Sequence, residues 1–470
     1  MTNLVLLTID CFRYDRCGFN GHNRPTTPTL DSLAAESIVF DHAYATGPYT
    51  TESFPGIIAG QHSFNGAYYG ADYAWKALEP DSETIATFLQ ARGYETVATL
   101  SNPHLTRSRN FNRGFDSFRN LRTTGDDRAD PDDEDNGGWG LGATLPNIRG
   151  LMESHSSLVN PYIIPYLGYR YYQLQTEWPS INARSVLDAF VDNLRDTDAP
   201  FFGWTHLMDL HAPLHPNTVQ QGGLAANDTF LRQSLFDAAR IFELHEPRYD
   251  TMYDSALRYV DDLIGEFISF LKDADIWDET ALIITGDHGE VLFDRAGIYG
   301  HPRHHLFDES LRVPLLIRLP AASHDRIDSV FSLAWIHELI SEIVGAEPGT
   351  FPAQSEVEWL SGQEPSEPPV VTSDALDGAG HSVAIRDADT KTIHHRAADG
   401  VADVDHDYLD QPVQFAYRSD PGERVPSQDV GTDFRDLAET RLRSPNELPS
   451  IGEGISTETS KQLQDLGYQM

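Results

Sequence analysis

The chain has 470 residues, 40% of them hydrophobic, with 72 acidic against 34 basic side chains and a formal net charge of −38. The length suits one large α/β unit with a smaller appendage, and the hydrophobic share excludes an acidic disordered chain. The charge argues against general electrostatic binding of nucleic acid or acidic membranes. Only four lysines occur (Lys76, Lys272, Lys391, Lys461), and Asp and Glu are scattered along the whole length. Such a surface repels itself unless salt screens it, which points to a salt-loving source. Cys11 and Cys17 are too few for a disulfide framework and are expected to pack as small hydrophobes. No signal-like segment precedes the first apolar run, and no run reaches the roughly 18 residues that a membrane span needs. The expected location is cytoplasmic.

The first element is the apolar run Leu4 to Ile9, which reads as a buried parallel strand and stops on Asp10. Thr27-Pro28-Thr29 starts a helix through Leu30, Leu33 and Ala34, and Ile38-Val39-Phe40 suits a strand. The segment from Gly47 to Gly60 is a turn passing into a short helix. A capped helix over Ser82 to Arg92 and a strand over Thr96 to Leu100 follow, then an Asp- and Gly-rich loop at 123–140. Pro161 to Trp178 has too few periodic cues for an assignment. Beyond it come an amphipathic helix from Ile181 to Leu194 and a strand from Phe201 to Thr205, which leads into His206, Asp209 and His211. Helical spacing runs from Tyr253 to Leu271 and delivers the chain to the apolar run Ala281 to Ile284, which ends Thr285-Gly286-Asp287-His288-Gly289-Glu290. A strand over Val313 to Leu319 and a helix over Val330 to Val344 complete the alternation, which predicts a largely parallel sheet covered on both faces. From about residue 346 the composition shifts to Pro, Glu and Ser, followed by strand-like pieces at 370–372, 382–385, 392–394 and 414–417 and a last short helix ending Leu466-Gly467-Tyr468.

If the first and the late strand are parallel neighbours, Asp10, Asp287 and His288 meet at one sheet edge, where open α/β sheets bind ligands. Two carboxylates and an imidazole suit Ca, Mg, Mn or Zn. Taken singly, Asp287 fits an Asx turn and Asp10 a helix cap; taken together they favour the metal. Thr50 and Thr51 start the short helix, whose free amides attract anions, and a hydroxyl on the metal becomes a nucleophile. As a plain alternative, either threonine caps the helix. Arg13 lies a loop step beyond Asp10, placed to hold charge on a reacting oxygen or to make a surface ion pair.

Asp10-x-x-Arg13-x-Asp15, Thr27-Pro28-x-Leu30-Asp31-x-Leu33-Ala34, Gly47-Pro48 through Ile57-Ile58-Ala59-Gly60, Thr285 to Glu290 and Asp308-Glu309-x-x-Arg312-Val313-Pro314-Leu315 together resemble the successive signatures of the sulfatase family in the alkaline phosphatase superfamily. They occur in the family's order over about residues 3 to 320, and Asp420-Pro421-Gly422-Glu423 with Leu466-Gly467-Tyr468 is similar to its C-terminal part. The resemblance implies an alkaline-phosphatase-like α/β fold: a mixed, mostly parallel central sheet with helices on both faces over residues 1–345. A small C-terminal α+β subdomain with an antiparallel sheet then occupies 346–470. It implies one divalent metal ion, calcium by family habit with Mn, Mg or Zn as alternatives, and a small-molecule or glycan sulfate or phosphate ester as substrate.

Departures from the family pattern are equally specific. Cys11 stands where a second aspartate is usual. Counting back from Gly60 by the spacing of the formylglycine motif lands on Thr50, with no cysteine, proline or arginine in register. Threonine there resembles the nucleotide pyrophosphatase and glycerol-phosphate transferase branches. Asn102-Pro103-His104 replaces a Lys-x-His pair, and Gly300 to His305 holds the place of a histidine and lysine. The resulting expectation is a metal-dependent hydrolase of sulfate esters, with Thr50, His211, His301 and Arg13 in the chemistry. Thr51, His104, Arg303 and His305 would bind substrate, the metal would sit on Asp10, Asp287, His288 and Thr50, and Glu309 with Arg312 would form a structural ion pair. Two alternatives stand: a phosphodiesterase or phosphoryl transferase using the threonine, and a non-catalytic binder of anions or glycans.

Overall fold

The computed structural model describes residues 1–62, 67–69, 75–79, 81–122, 181–225, 248–295, 298–321, 324–355, 357–361, 365, 367–398 and 411–444. The loop at 123–140, the stretch Pro161 to Trp178 and the last helix expected before Tyr468 lie outside them.

Eight strands form the central sheet: β1 Asn3–Ile9, β2 Ile38–Tyr44, β3 Glu95–Leu100, β4 Ser117–Asn120, β5 Phe201–Leu207, β6 Thr280–Gly286, β7 Arg312–Arg318 and β8 Asp325–Ser332. Their order across the sheet is β8-β2-β7-β6-β1-β5-β3-β4. Only β7 runs against its neighbours, and every other pairing is parallel. β1 lies at the centre between β5 and β6, with Ile9 opposite Gly286 and Leu207. All seven residues of β1 are buried, as a strand covered on both faces requires.

Alternation along β1 sorts the two cores. Leu4 and Leu6 face one layer with α2 (Thr50–Ala59), α3 (Ile85–Gln90) and α7 (Ile336–Val344), while Val5, Leu7 and Ile9 face the other with α1 (Pro28–Ala34), α4 (Ala183–Arg195) and α6 (Tyr249–Asp273). Between α4 and α6 lies α5, Pro216–Gly222. The expected helix over Ser82 to Arg92 shortens to α3, because Thr84 caps it in a reciprocal box with Thr87.

Two edge strands depart from the expectation. β4, Ser-Phe-Arg-Asn, has no apolar run to mark it as a strand, and residues 330–332, expected in a helix, instead finish β8, which pairs with β2. A short 3-10 turn, Leu333–Trp335, separates β8 from α7. The apolar run from Val330 to Ile336 has no period of its own, so burial decides where strand gives way to helix.

The C-terminal part is a four-stranded antiparallel sheet, β9 Val371–Asp377, β10 Gly380–Arg386, β11 Lys391–Ala397 and β12 Val413–Phe415, followed by α8, Thr432–Arg441. Its edge strand β9 lies against the turn before α2: the Asp374 amide donates to the Thr46 carbonyl at 2.7 Å, and the Leu376 amide to Glu52 Oε1 at 2.9 Å. Half-buried Asp308, paired with buried Arg386 and Lys391, ties this sheet to the segment before β7.

Candidate active site

Parallel pairing of β1 with β6 brings the residues after both strands side by side: the Asp10 amide donates to the Leu207 carbonyl, and the Asp287 amide to that of Ile9. Gly289 makes the following turn fit, since a Cβ there would lie 2.2 Å from the Glu309 carbonyl oxygen. Helix α2 enters over the same edge with all ten residues buried. Thr50 and Ser53 share one face of it, and the Ser53 hydroxyl donates to the Asp287 carbonyl at 2.5 Å. Thr50 Oγ1 consequently lies 3.3 Å from Asp287 Oδ2 and 3.5 Å from His288 Nε2.

His288 donates from Nδ1 to the Gly289 carbonyl at 2.8 Å, which leaves the lone pair of Nε2 facing inward. That nitrogen lies 3.6 Å from Asp10 Oδ1 and 3.6 Å from Asp287 Oδ2. Burial lowers the His288 pKa to about 4, so the ring is a neutral donor. The two carboxylates diverge. Asp287 is pushed well above the usual range by burial and by Asp10 beside it; burial opposes ionisation of Asp10 too, but the imidazoles of His206, His211 and His288 hold it low. A divalent cation would relieve this conflict, and Asp10, Asp287 and His288 offer ligand atoms all within 4.8 Å of one another. The residues fit the expected metal.

Around this centre stand three histidine rings in a row, His288 to His301 at 5.0 Å and His301 to His211 at 4.8 Å between centroids. His301 Nδ1 lies 2.9 Å from Glu290 Oε2. Burial alone would lower its pKa, but the Glu290 carboxylate outweighs that and raises it. His211 has the opposite balance and is lowered by burial.

Other expected site residues are engaged elsewhere. Arg13, itself buried, pairs on one side with exposed Asp15 and on the other with half-buried Asp294 and donates to the Glu290 carbonyl, so its guanidinium is committed to structure. Arg303 pairs with Asp377 at 3.2 Å, and His305 with Glu309 at 3.1 Å. Glu309 also takes Arg295, whereas Arg312 donates to the Asp41 carbonyl and lies over the Tyr14 ring; the expected Glu309–Arg312 pair is replaced by these two. His104 Nδ1 accepts from Arg109 at 2.9 Å. Asp209 turns away: its carboxylate accepts the Ala183 amide at the start of α4 and the Thr218 hydroxyl, and burial raises its pKa to about 6. Thr51 is buried one residue into α2.

Several contributors had no separate signal in the sequence. Asn102 donates to Asp10 Oδ2 at 3.4 Å and reaches His206 Nε2 at 3.3 Å. Tyr253 of α6 donates to the Cys11 carbonyl and accepts the Arg13 amide, clamping the turn after Asp10. Cys11, expected as a small hydrophobe, is polar in effect: its thiol lies 2.9 Å from Asp10 Oδ1 and 3.1 Å from Glu290 Oε2, with one proton to give to either. Glu290 could have been singled out, because its position directly follows the Asp-His pair.

Comparison with known proteins gives a consistent result. A family profile described as Sulfatase matches residues 2–345. The chain is 22% identical over 376 residues to an N-acetylgalactosamine-6-O-sulfatase of Bacteroides thetaiotaomicron, with 68% of each chain covered. It is 24% identical over 369 residues to an arylsulfatase of Clostridium perfringens, again with 68% of each covered. Among solved structures, the fold is similar to that of the phosphonate monoester hydrolase of Agrobacterium radiobacter (TM-score 0.61, 17% identity, 94% of both chains). A 2-O GAG sulfatase also resembles it (TM-score 0.60, 15% identity, 96% of this chain and 98% of that one). The architecture is thus the alkaline-phosphatase-like one of these enzymes, and with its profile matched across the whole central sheet, the chain belongs to the sulfatase family.

Proposed function

We propose that the protein hydrolyses sulfate esters through the hydroxyl of Thr50. The observation that carries this reading is the approach of Thr50 Oγ1 to Asp287 Oδ2 and His288 Nε2, at 3.3 and 3.5 Å, from a helix start 237 residues away in sequence. A divalent cation held by Asp10, Asp287 and His288 would lower the pKa of that hydroxyl and draw charge from an equatorial sulfuryl oxygen. The first-turn amides of α2 bind the anionic oxygens. Thr50 Oγ1, its proton first released to solvent, forms the new bond to sulfur, and the ester bond to the leaving oxygen breaks. His301, kept protonated by Glu290, gives its proton to that oxygen, and the neutral ring then takes one from the water that releases sulfate. His211, lowered by burial, accepts a hydrogen bond from the substrate alcohol.

The relatives named for sugar and aryl sulfates support an ester of a sugar or small aryl alcohol as substrate. A second reading has one observation in its favour: a threonine hydroxyl, in place of a formylglycine precursor, suits attack on phosphorus. Calcium is the ion the family favours, while the nitrogen of His288 admits Mn or Zn. Turnover of an aryl sulfate, an aryl phosphate and a diaryl phosphate, with wild type and Thr50→Ala in high salt, tests both. The sulfate should be hydrolysed, and the variant should lose at least about a thousandfold in kcat/KM. Turnover confined to the phosphates moves the assignment to the second reading, and no turnover with metal retained makes the protein a binder of anions.

A further inference from the structure

Cys11 occupies a left-handed backbone position, φ 58, that aims its thiol into the site between Asp10 and Glu290. Glu290 is fully buried, and while its Oε2 meets Cys11 and His301, Oε1 has no hydrogen-bond partner among the described residues. A buried carboxylate oxygen left bare is costly unless a cation or water meets it. We propose that Cys11, Glu290 and His301 form a second divalent-cation site, suited to a thiophilic ion such as zinc, beside the one on Asp10, Asp287 and His288.

Geometry and charge both support it. Cys11 Sγ, Glu290 Oε2 and His301 Nδ1 are separated by 3.1, 2.9 and 3.9 Å. Ligands around a tetrahedral zinc lie about 3.4 to 3.6 Å apart, so small side-chain shifts would seat the ion and leave a fourth position open. Thiolate, carboxylate and imidazole are a borderline-soft set that disfavours calcium. With both sites filled, the four anionic ligand groups, Asp10, Asp287, Glu290 and a Cys11 thiolate, would match the charge of two divalent cations. The two centres would be neighbours, since Asp10 Oδ1 lies 2.9 Å from Cys11 Sγ. With the second cation bound, it would hold the leaving oxygen of the ester in place of the His301 proton, so filling this site changes the role of His301 and leaves that of Thr50 unchanged.

Metal binding by the full chain tests this without reference to turnover, so its failure leaves the esterase reading intact. The protein is stripped with chelator, reloaded with Zn(II) or Co(II) and freed of loosely held ion, and metal is counted against protein. Wild type should hold about two ions per chain, and its Co(II) form should show thiolate-to-cobalt charge transfer in the near ultraviolet. Cys11→Ser should lose that absorption, and both Cys11→Ser and Glu290→Gln should fall to about one ion per chain, whereas Asp287→Asn should keep the thiolate band. Glu290→Gln is isosteric and decides the matter if Cys11→Ser fails to fold. About one ion in wild type, or two with no thiolate band, would overturn the proposal and leave Cys11 as a hydrogen-bond donor only.

Discussion

Ser53 shows how a residue remote from any reacting atom sets the geometry of this site. Its hydroxyl links a side chain of α2 to the backbone of Asp287, and it sits one helical turn from Thr50. Ser53→Ala removes the donor and leaves the Asp287 carbonyl short of a partner in a buried place, at a cost of about 1 to 2 kcal/mol. The expected result is a lower unfolding midpoint together with a fall in kcat larger than the change in KM, because Thr50 and Asp287 lose their common anchor. An equal effect on both parameters, or none, would reduce Ser53 to a packing residue. At this scale the sequence displays Asp10, Asp287 and His288, since each ends a continuous apolar run. It conceals Ser53, Asn102 and Tyr253, whose partners lie 234, 92 and 242 residues away. Arg13 misleads for the same reason: Asp294, 281 residues further on, settles where its guanidinium points.

Among the elements, the buried strands were legible and the sheet edges were not. β1, β5 and β6 read as apolar runs, whereas β4 (Ser117–Asn120) and the first half of β8 carry Arg, Asp and Ser on edges that face water. Helix α7, next to β8, shows what a partly apolar element does once packed. Glu338 and Glu342 accept backbone amides of Ser355, Trp359 and Leu360, fastening the chain that follows. His337 on the same helix stacks on Phe351 at 4.0 Å and donates to the Ala353 carbonyl, and burial lowers its pKa to about 4. The unfolded chain takes up this proton below about pH 6.5 and the folded one only near 4, so His337 contributes stability above 6.5 that is lost as pH falls towards 4. His42 and His394, also lowered to about 4 by burial, act in the same direction. Urea midpoints at pH 7.5 and 4.5 should differ less in His337→Gln than in wild type, by on the order of 2 kcal/mol in stability. An unchanged difference would mean that the ring is already charged in the fold.

Over the whole molecule, the two sheets meet at the turn before α2, so the C-terminal sheet helps to hold the helix that carries Thr50. The antiparallel strands were visible as short pieces in the sequence. Their docking was not, because it depends on the Asp374 amide and the Ser373 hydroxyl donating to the carbonyls of Thr46 and Ala45 and on the charges paired with Asp308. The excess of acidic side chains acts on this arrangement as a distributed load. With a net charge of −38, mutual repulsion favours any state that spreads the chain, and it weakens as the screening length shrinks from about 10 Å at 0.1 M salt to about 3 Å at 1 M. Paired charges such as Arg184–Glu266 and Arg418–Asp328 lose part of their attraction in the same salt, but exposed pairs contribute little. Repulsion therefore governs the sign. Raising KCl from 0.1 to 2 M should lift the thermal midpoint by roughly 5 °C or more, with potassium chloride chosen because it is a weak structure-making salt. A midpoint that stays level or falls would show that the acidic surface is neutralised locally, and the salt-loving reading of the composition would fail with it.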